Sequence, residues 1–125
     1  MSTVFKLTQA ESNLAEIIWS NSPVAAASLI KIAEERLGWK RTTTYTILKR
    51  LVSKGIARNT SATVSALLTR DQFLAGQSRS FVDLTFDGSL PKFITSFIGG
   101  EKLTQEQAAE LRQLIEEHEE DELNG

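Results

Sequence analysis

The chain has no cysteine, two prolines, one methionine, one tyrosine and one histidine among its 125 residues. Without cysteine there is no disulfide framework and no thiolate metal site. The single histidine, His118, stands in the acidic stretch EEHEEDE and reads as a solvated side chain rather than a metal ligand. No apolar run approaches the roughly 20 residues that span a bilayer. The opening MSTVFKLTQAES lacks the charged-then-apolar pattern of a secretory signal. These absences predict a cytoplasmic protein with no insertion into a membrane. There is also no glycine-rich phosphate loop and no acid or nucleophile set placed to work with His118, so no catalytic residue, metal or cofactor is expected.

Acidic residues are missing from one long stretch. Between Arg36 and Arg70 lie eight basic residues and no acid: Arg36, Lys40, Arg41, Lys49, Arg50, Lys54, Arg58 and Arg70. From Asp71 onward there are twelve acids and four bases. The net charge of −2 therefore conceals a basic segment followed by an acidic one. A basic segment of this kind is either a solvated face or the footprint of a polyanion.

Apolar spacing and punctuation give the element order. Thr8 and Glu11 have capping-box spacing ahead of Ala10, Leu14, Ile17 and Ile18, which predicts a first helix over roughly residues 9–20. Leu29, Ile30, Ala33 and Leu37 form a second stripe that Gly38 closes. Residues 41–54 form a third helix, stopped by Gly55. The segment IARNTSATVSALLT is β-branched around a small, polar centre and reads as a hairpin. Three short helices followed by a hairpin is the order of a winged helix-turn-helix. The fold class is thus mainly α with a small β-hairpin wing. Residues 1–70 are expected to form the winged-helix domain and residues 71–125 a helical dimerisation domain.

The third helix has an unusual composition. Threonine fills four of the five positions from Thr42 to Thr46, interrupted by Tyr45. β-Branched side chains lose freedom in a helix and are not its first choice. At 100° per residue, Thr44, Ile47, Leu48 and Leu51 share a core face. Thr42, Tyr45, Thr46 and Lys49 share the opposite face, with Thr43 and Arg50 on a flank and Arg41 at the helix start. Hydroxyls, an aromatic ring and cations fit the major groove of DNA better than a merely solvated face. The competing reading is a capped, solvated first turn for the threonines and a half-buried ring for Tyr45. Trp19 and Trp39 read as packing residues.

The segment after the hairpin carries a second capping box at Thr69 and Gln72, and a helix with Phe73, Leu74, Phe81, Leu84 and Phe86 that stops near Gly88. SLPKFITSFIGG predicts a short apolar helix, and Thr104 and Gln107 cap a last helix with Ala108, Leu111, Leu114 and Ile115 inward. Its end, EEHEEDELNG, is expected to fray. Three short helices bury too little surface to stand alone. Their apolar faces either pack back on the first seventy residues or meet a second copy of the chain, and the second is the preferred expectation for Phe73, Phe81, Leu84, Phe93, Phe97, Leu111 and Ile115.

WKRTTTYTILKRLVSKG, preceded by LTQAESNLAEIIW and followed by SRSFVDLTFDGSLPKFITSFI and LTQEQAAELRQLIEEH, resembles the penicillinase-repressor (BlaI/MecI/CopY) family over about residues 7–118. The resemblance implies a homodimeric winged-helix repressor of transcription that binds double-stranded operator DNA as an inverted repeat. In the branch concerned with antibiotic resistance, a membrane-bound sensor protease cuts the repressor and frees the operator. Thr42, Thr43, Tyr45 and Thr46 match the family's base- and phosphate-contacting positions, and Arg50 matches its third-helix arginine. The family's cleaved Asn-Phe pair falls on Ser96 and Phe97. Two departures stand out. The wing lacks the glycine and the extra basic and aromatic residues common there, and the absence of cysteine removes the copper-sensing motif of one branch. Two other readings remain open: a winged-helix adaptor whose third helix contacts protein, and a regulator of the same fold gated by a small ligand.

Overall fold

Residues 3–120 are described by a computed structural model. The elements run α1 Gln9–Asn21, β1 Val24–Ala25, α2 Ala26–Leu37, α3 Arg41–Ser53, β2 Ala57–Thr60, β3 Thr63–Ala66, α4 Arg70–Thr85, α5 Leu90–Ile98 and α6 Gln105–His118. This is a winged helix followed by a helical segment, as the spacing predicts. The frayed end expected from Glu116 lies partly outside the described residues, which stop two residues beyond α6.

The capping box at the head of α1 is formed in both directions. The Glu11 amide donates to Thr8 Oγ1 at 3.2 Å, and the Thr8 amide donates to Glu11 Oε1 at 2.9 Å. Leu14, Ile17 and Ile18 of α1 then pack with Leu29 and Ala33 of α2 and with Ile47, Leu48 and Leu51 of α3. Burying an aliphatic side chain contributes about 1.5–3 kcal/mol, so this cluster is the main source of stability. Gly38 ends α2 with φ of 67°, a left-handed cap in which glycine avoids a Cβ clash.

The wing is larger by one strand than the sequence suggests. The sheet has the order β1-β3-β2, with Val24 opposite Val64 and Ala25 opposite Thr63. A two-residue strand behind a proline offers no alternation to read. Its tie to the wing continues into α2, whose first amide, that of Ala26, donates to the Ala62 carbonyl at 2.8 Å.

Phe73 requires a correction. It was expected to meet a second copy of the chain, but it is 4% exposed and lies inside the winged-helix core. Its ring packs against Trp19 at 5.4 Å and Phe5 at 5.8 Å between centroids. The first turn of α4 folds back on the core because Trp19 and Phe5 leave an apolar slot there. The winged-helix core thus reaches past residue 70 into α4. Trp19 also donates its indole N–H to the Leu68 carbonyl at 3.1 Å, and Trp39 packs at the core edge, as expected of both.

The segment before α1 crosses the back of the domain as a strap. The Val4 amide donates to the Lys54 carbonyl at 2.8 Å, and Lys54 Nζ donates to the Lys6 carbonyl at 2.9 Å. Lys54 Nζ also pairs with Glu11, which is buried. One lysine at the end of α3 thereby holds both the strap and the first turn of α1.

Candidate nucleic-acid interface

α3 presents two chemically distinct faces. Thr44, Ile47, Leu48 and Leu51 are buried. Arg41, Thr42, Thr43, Tyr45, Thr46, Lys49 and Arg50 are all exposed on the rest of the helix. The structure therefore brings every sequence-predicted contact residue to one outward surface.

Local hydrogen bonds explain how a helix accommodates so many threonines. Thr46 Oγ1 donates to the Thr42 carbonyl at 2.9 Å, and Thr44 Oγ1 donates to the Lys40 carbonyl at 3.3 Å. Such back-bonding satisfies the hydroxyl within its own helix. It also fixes what Thr46 offers outward: an oxygen with lone pairs free and a methyl group. That pair of features complements a base-edge donor and a thymine methyl.

The head of α3 is open. Lys40 occupies the N-cap position and makes no side-chain cap, and the first intrahelical bond runs from the Thr44 amide to the Lys40 carbonyl at 3.1 Å. Helix N-termini favour anions, and Lys40 and Arg41 add charge at the same place. The Arg41 guanidinium lies over the Tyr45 ring, 5.6 Å from its centroid. This cation–π contact holds the arginine along the helix surface. Among the described residues, Lys40, Arg41, Lys49 and Arg50 form no salt bridge, so their charge is available to a partner.

One further exposed cation, on the wing, has chemistry that suits a polyanion. Arg58 is exposed on β2 beside Asn59 and Thr60. It lies in the acid-free stretch, which was the signal for it. The wing lacks the glycine and aromatics that mark a contacting hairpin, so its sequence does not single Arg58 out.

The helices behind the wing carry a different surface. Phe81, Phe86, Phe93 and Phe97 run as a chain of ring contacts, with centroids 5.9 Å apart for Phe81–Phe86, 5.5 Å for Phe86–Phe93 and 6.0 Å for Phe93–Phe97. The chain is only partly covered. Leu84 is 84% and Phe97 73% exposed, and Phe81, Leu90 and Ile115 are exposed as well. Phe93 and Leu111 are half-buried. Leu114 and Ile115, expected to turn inward, are exposed in the single chain, because α5 is too short to cover both sides of α6. An open groove of about 610 Å³ between α4 and α5 is lined by Phe81, Val82, Leu90 and Phe93. Ser96 and Phe97 are both exposed near the end of α5, just before Gly99 and Gly100.

A sequence model described as penicillinase repressor matches residues 7–117. The chain is 25% identical over 122 residues to the penicillinase repressor of Bacillus licheniformis, covering 94% of this chain and 95% of that one. It is 23% identical over 115 residues to the methicillin resistance regulatory protein MecI of Staphylococcus aureus (strain N315), and equally to that of Mammaliicoccus sciuri, covering 89% of this chain and 94% of each. Among the described residues no helix is long and apolar enough to cross a membrane.

Proposed function

The chain belongs to the penicillinase repressor family, and on that premise we propose that it is a homodimeric repressor that reads operator DNA with the exposed face of α3. The observation that carries this reading is the pairing of Thr42, Tyr45 and Thr46 with Arg41, Lys49 and Arg50, which form no salt bridge among the described residues, on one surface. Base edges are read by the hydroxyls, and phosphates are met by the cations and by the open head of the helix. Thr43, on the flank of the groove-facing residues, and Arg58, on the wing, are assigned to the DNA backbone.

The dimer is assigned to the segment after the winged helix. Phe81, Leu84, Phe93, Phe97, Leu111 and Ile115 form its faces, and a second copy supplies the missing cover. We place the division between the two units within α4, beyond Phe73, rather than at residue 70. Release is assigned to a membrane-bound sensor protease that cuts between Ser96 and Phe97, a reading supported by their exposure beside two glycines. It is tested by following the intact mass of the protein in cells given a β-lactam; a chain that stays whole while its target genes are expressed overturns the cleavage step.

The test of the main reading separates specificity from affinity. Fragments of the source genome retained by the protein supply a specific duplex. Thr46→Ala should relax preference at particular base pairs, at a cost of about 1–3 kcal/mol. Arg50→Ala should weaken all duplexes alike and reduce the salt slope by about 1. Variants that bind specific and random duplexes as the parent does would show that α3 is not the reader, and binding without salt dependence would favour a protein partner.

A further inference from the structure

We propose that Phe5 and Gly76 act together as a positioning wedge that sets the angle at which α4 leaves the winged helix, and hence the half-site spacing the dimer accepts. The inference rests on the proposed function, because spacing has meaning only for a two-fold reader of DNA.

The attachments of α4 to the winged helix fall in its first two turns. Arg70 Nε donates to Glu16 Oε1 at 2.9 Å, on the surface. Phe73 sits in the core against Trp19 and Phe5. Gly76 lies directly against the edge of the Phe5 ring, so closely that a Cβ built there would overlap the ring carbons. Glycine in the middle of a helix is unfavourable, and close approach of another group is a physical reason for it. The ring is half-buried, and the backbone on either side of it is held. Val4 before it is bonded to the Lys54 carbonyl, and Lys6 after it is bonded to Lys54 Nζ. Phe73 packs against one side of the ring.

The geometry amplifies small changes. From Gly76 to Thr85 the helix runs about 14 Å at 1.5 Å per residue. A tilt of about 10° at Gly76 moves the end of that arm by about 2.4 Å. Two-fold symmetry doubles the displacement to about 5 Å, more than the ~3.4 Å rise of one base pair. The dimer faces begin at Phe81, so they travel with the arm. A methyl group at Gly76 therefore changes where the second reading helix lands while leaving α3 untouched.

The experiment uses the full chain and an inverted repeat on which the parent shows a preferred spacing, with the centre-to-centre distance varied one base pair at a time. Gly76→Ala is expected to shift the optimum by at least one base pair, with affinity for a single half-site kept within about twofold. Phe5→Ala removes the wedge and is expected to flatten the spacing profile to less than about threefold discrimination. The double variant relieves the overlap, so its optimum returns to the parental spacing on a flatter profile. If Gly76→Ala does not fold, Phe5→Ala decides. A parental spacing profile in every folded variant overturns the wedge alone. A parent that binds no inverted repeat overturns the proposed function, and the wedge with it.

Discussion

Ser61 and Ala62 turn the wing with φ of 52° and 62°, in the left-handed region where a Cβ is crowded. A two-residue hairpin needs positive φ at both central positions, and asparagine or glycine normally supplies it. Here the strain is tolerated because the Ala62 carbonyl is held by the Ala26 amide. Ala62→Gly keeps that bond and relieves the crowding. It is expected to stabilise the chain by about 1 kcal/mol, less the extra chain entropy of glycine. A urea midpoint that moves upward with unchanged slope checks this. The turn also shows what sequence reading could and could not see. The hairpin was legible from its β-branched flanks. The tether was not, because it joins residues 36 apart through backbone atoms that carry no side-chain signature.

At the scale of elements, the amphipathic faces of α1 to α3 were readable because each obeys one period and one cap. The outward face of α3 was readable for the opposite reason: its residues suit neither a core nor plain solvent. What escaped was set by contacts distant in sequence. Phe73 reads as part of the α4 stripe with Phe81 and Leu84, yet Trp19 and Phe5 claim it for the core. The joint between α1, α3 and the strap was equally hidden. Burial alone would push the Glu11 carboxyl up, but Lys54 and the Thr8 amide and hydroxyl outweigh it and hold the group below its ordinary value of 4.5. A carboxylate depressed in the folded state binds its proton more readily once unfolded. It therefore stabilises the fold above its ordinary value, and that contribution disappears as pH falls through the folded value. Glu11→Gln should lower stability by about 1–3 kcal/mol at neutral pH. The difference from the parent should narrow in acid below 4.5. Denaturation followed across pH checks it, and a constant gap would show that the ion pair contributes nothing.

At the scale of the whole molecule, the separation of charge and of apolar surface fits the two proposed partners, DNA and a second copy of the chain. The acid-free stretch from Arg36 to Arg70 carries the proposed reading surface, and the exposed leucines and phenylalanines of α4 to α6 lie outside it. The proposed dimer is expected to sediment as a two-chain species at micromolar concentration. Leu84→Glu, at a side chain 84% exposed in the single chain, should shift it toward monomer without loss of helix content. It should also weaken operator binding about 10²-fold or more by removing the gain from linked half-sites. A monomeric parent at tens of micromolar would sink the dimer. The uncovered Phe97 has one more consequence, which concerns lifetime. If a second copy completes the face as proposed, the melting temperature rises with protein concentration, by mass action. At concentrations too low for the proposed dimer, the lone chain with Leu84 and Phe97 bare is the form that chaperones and housekeeping proteases meet first. Synthesis rate would then govern not only how much repressor is present but how long each molecule survives.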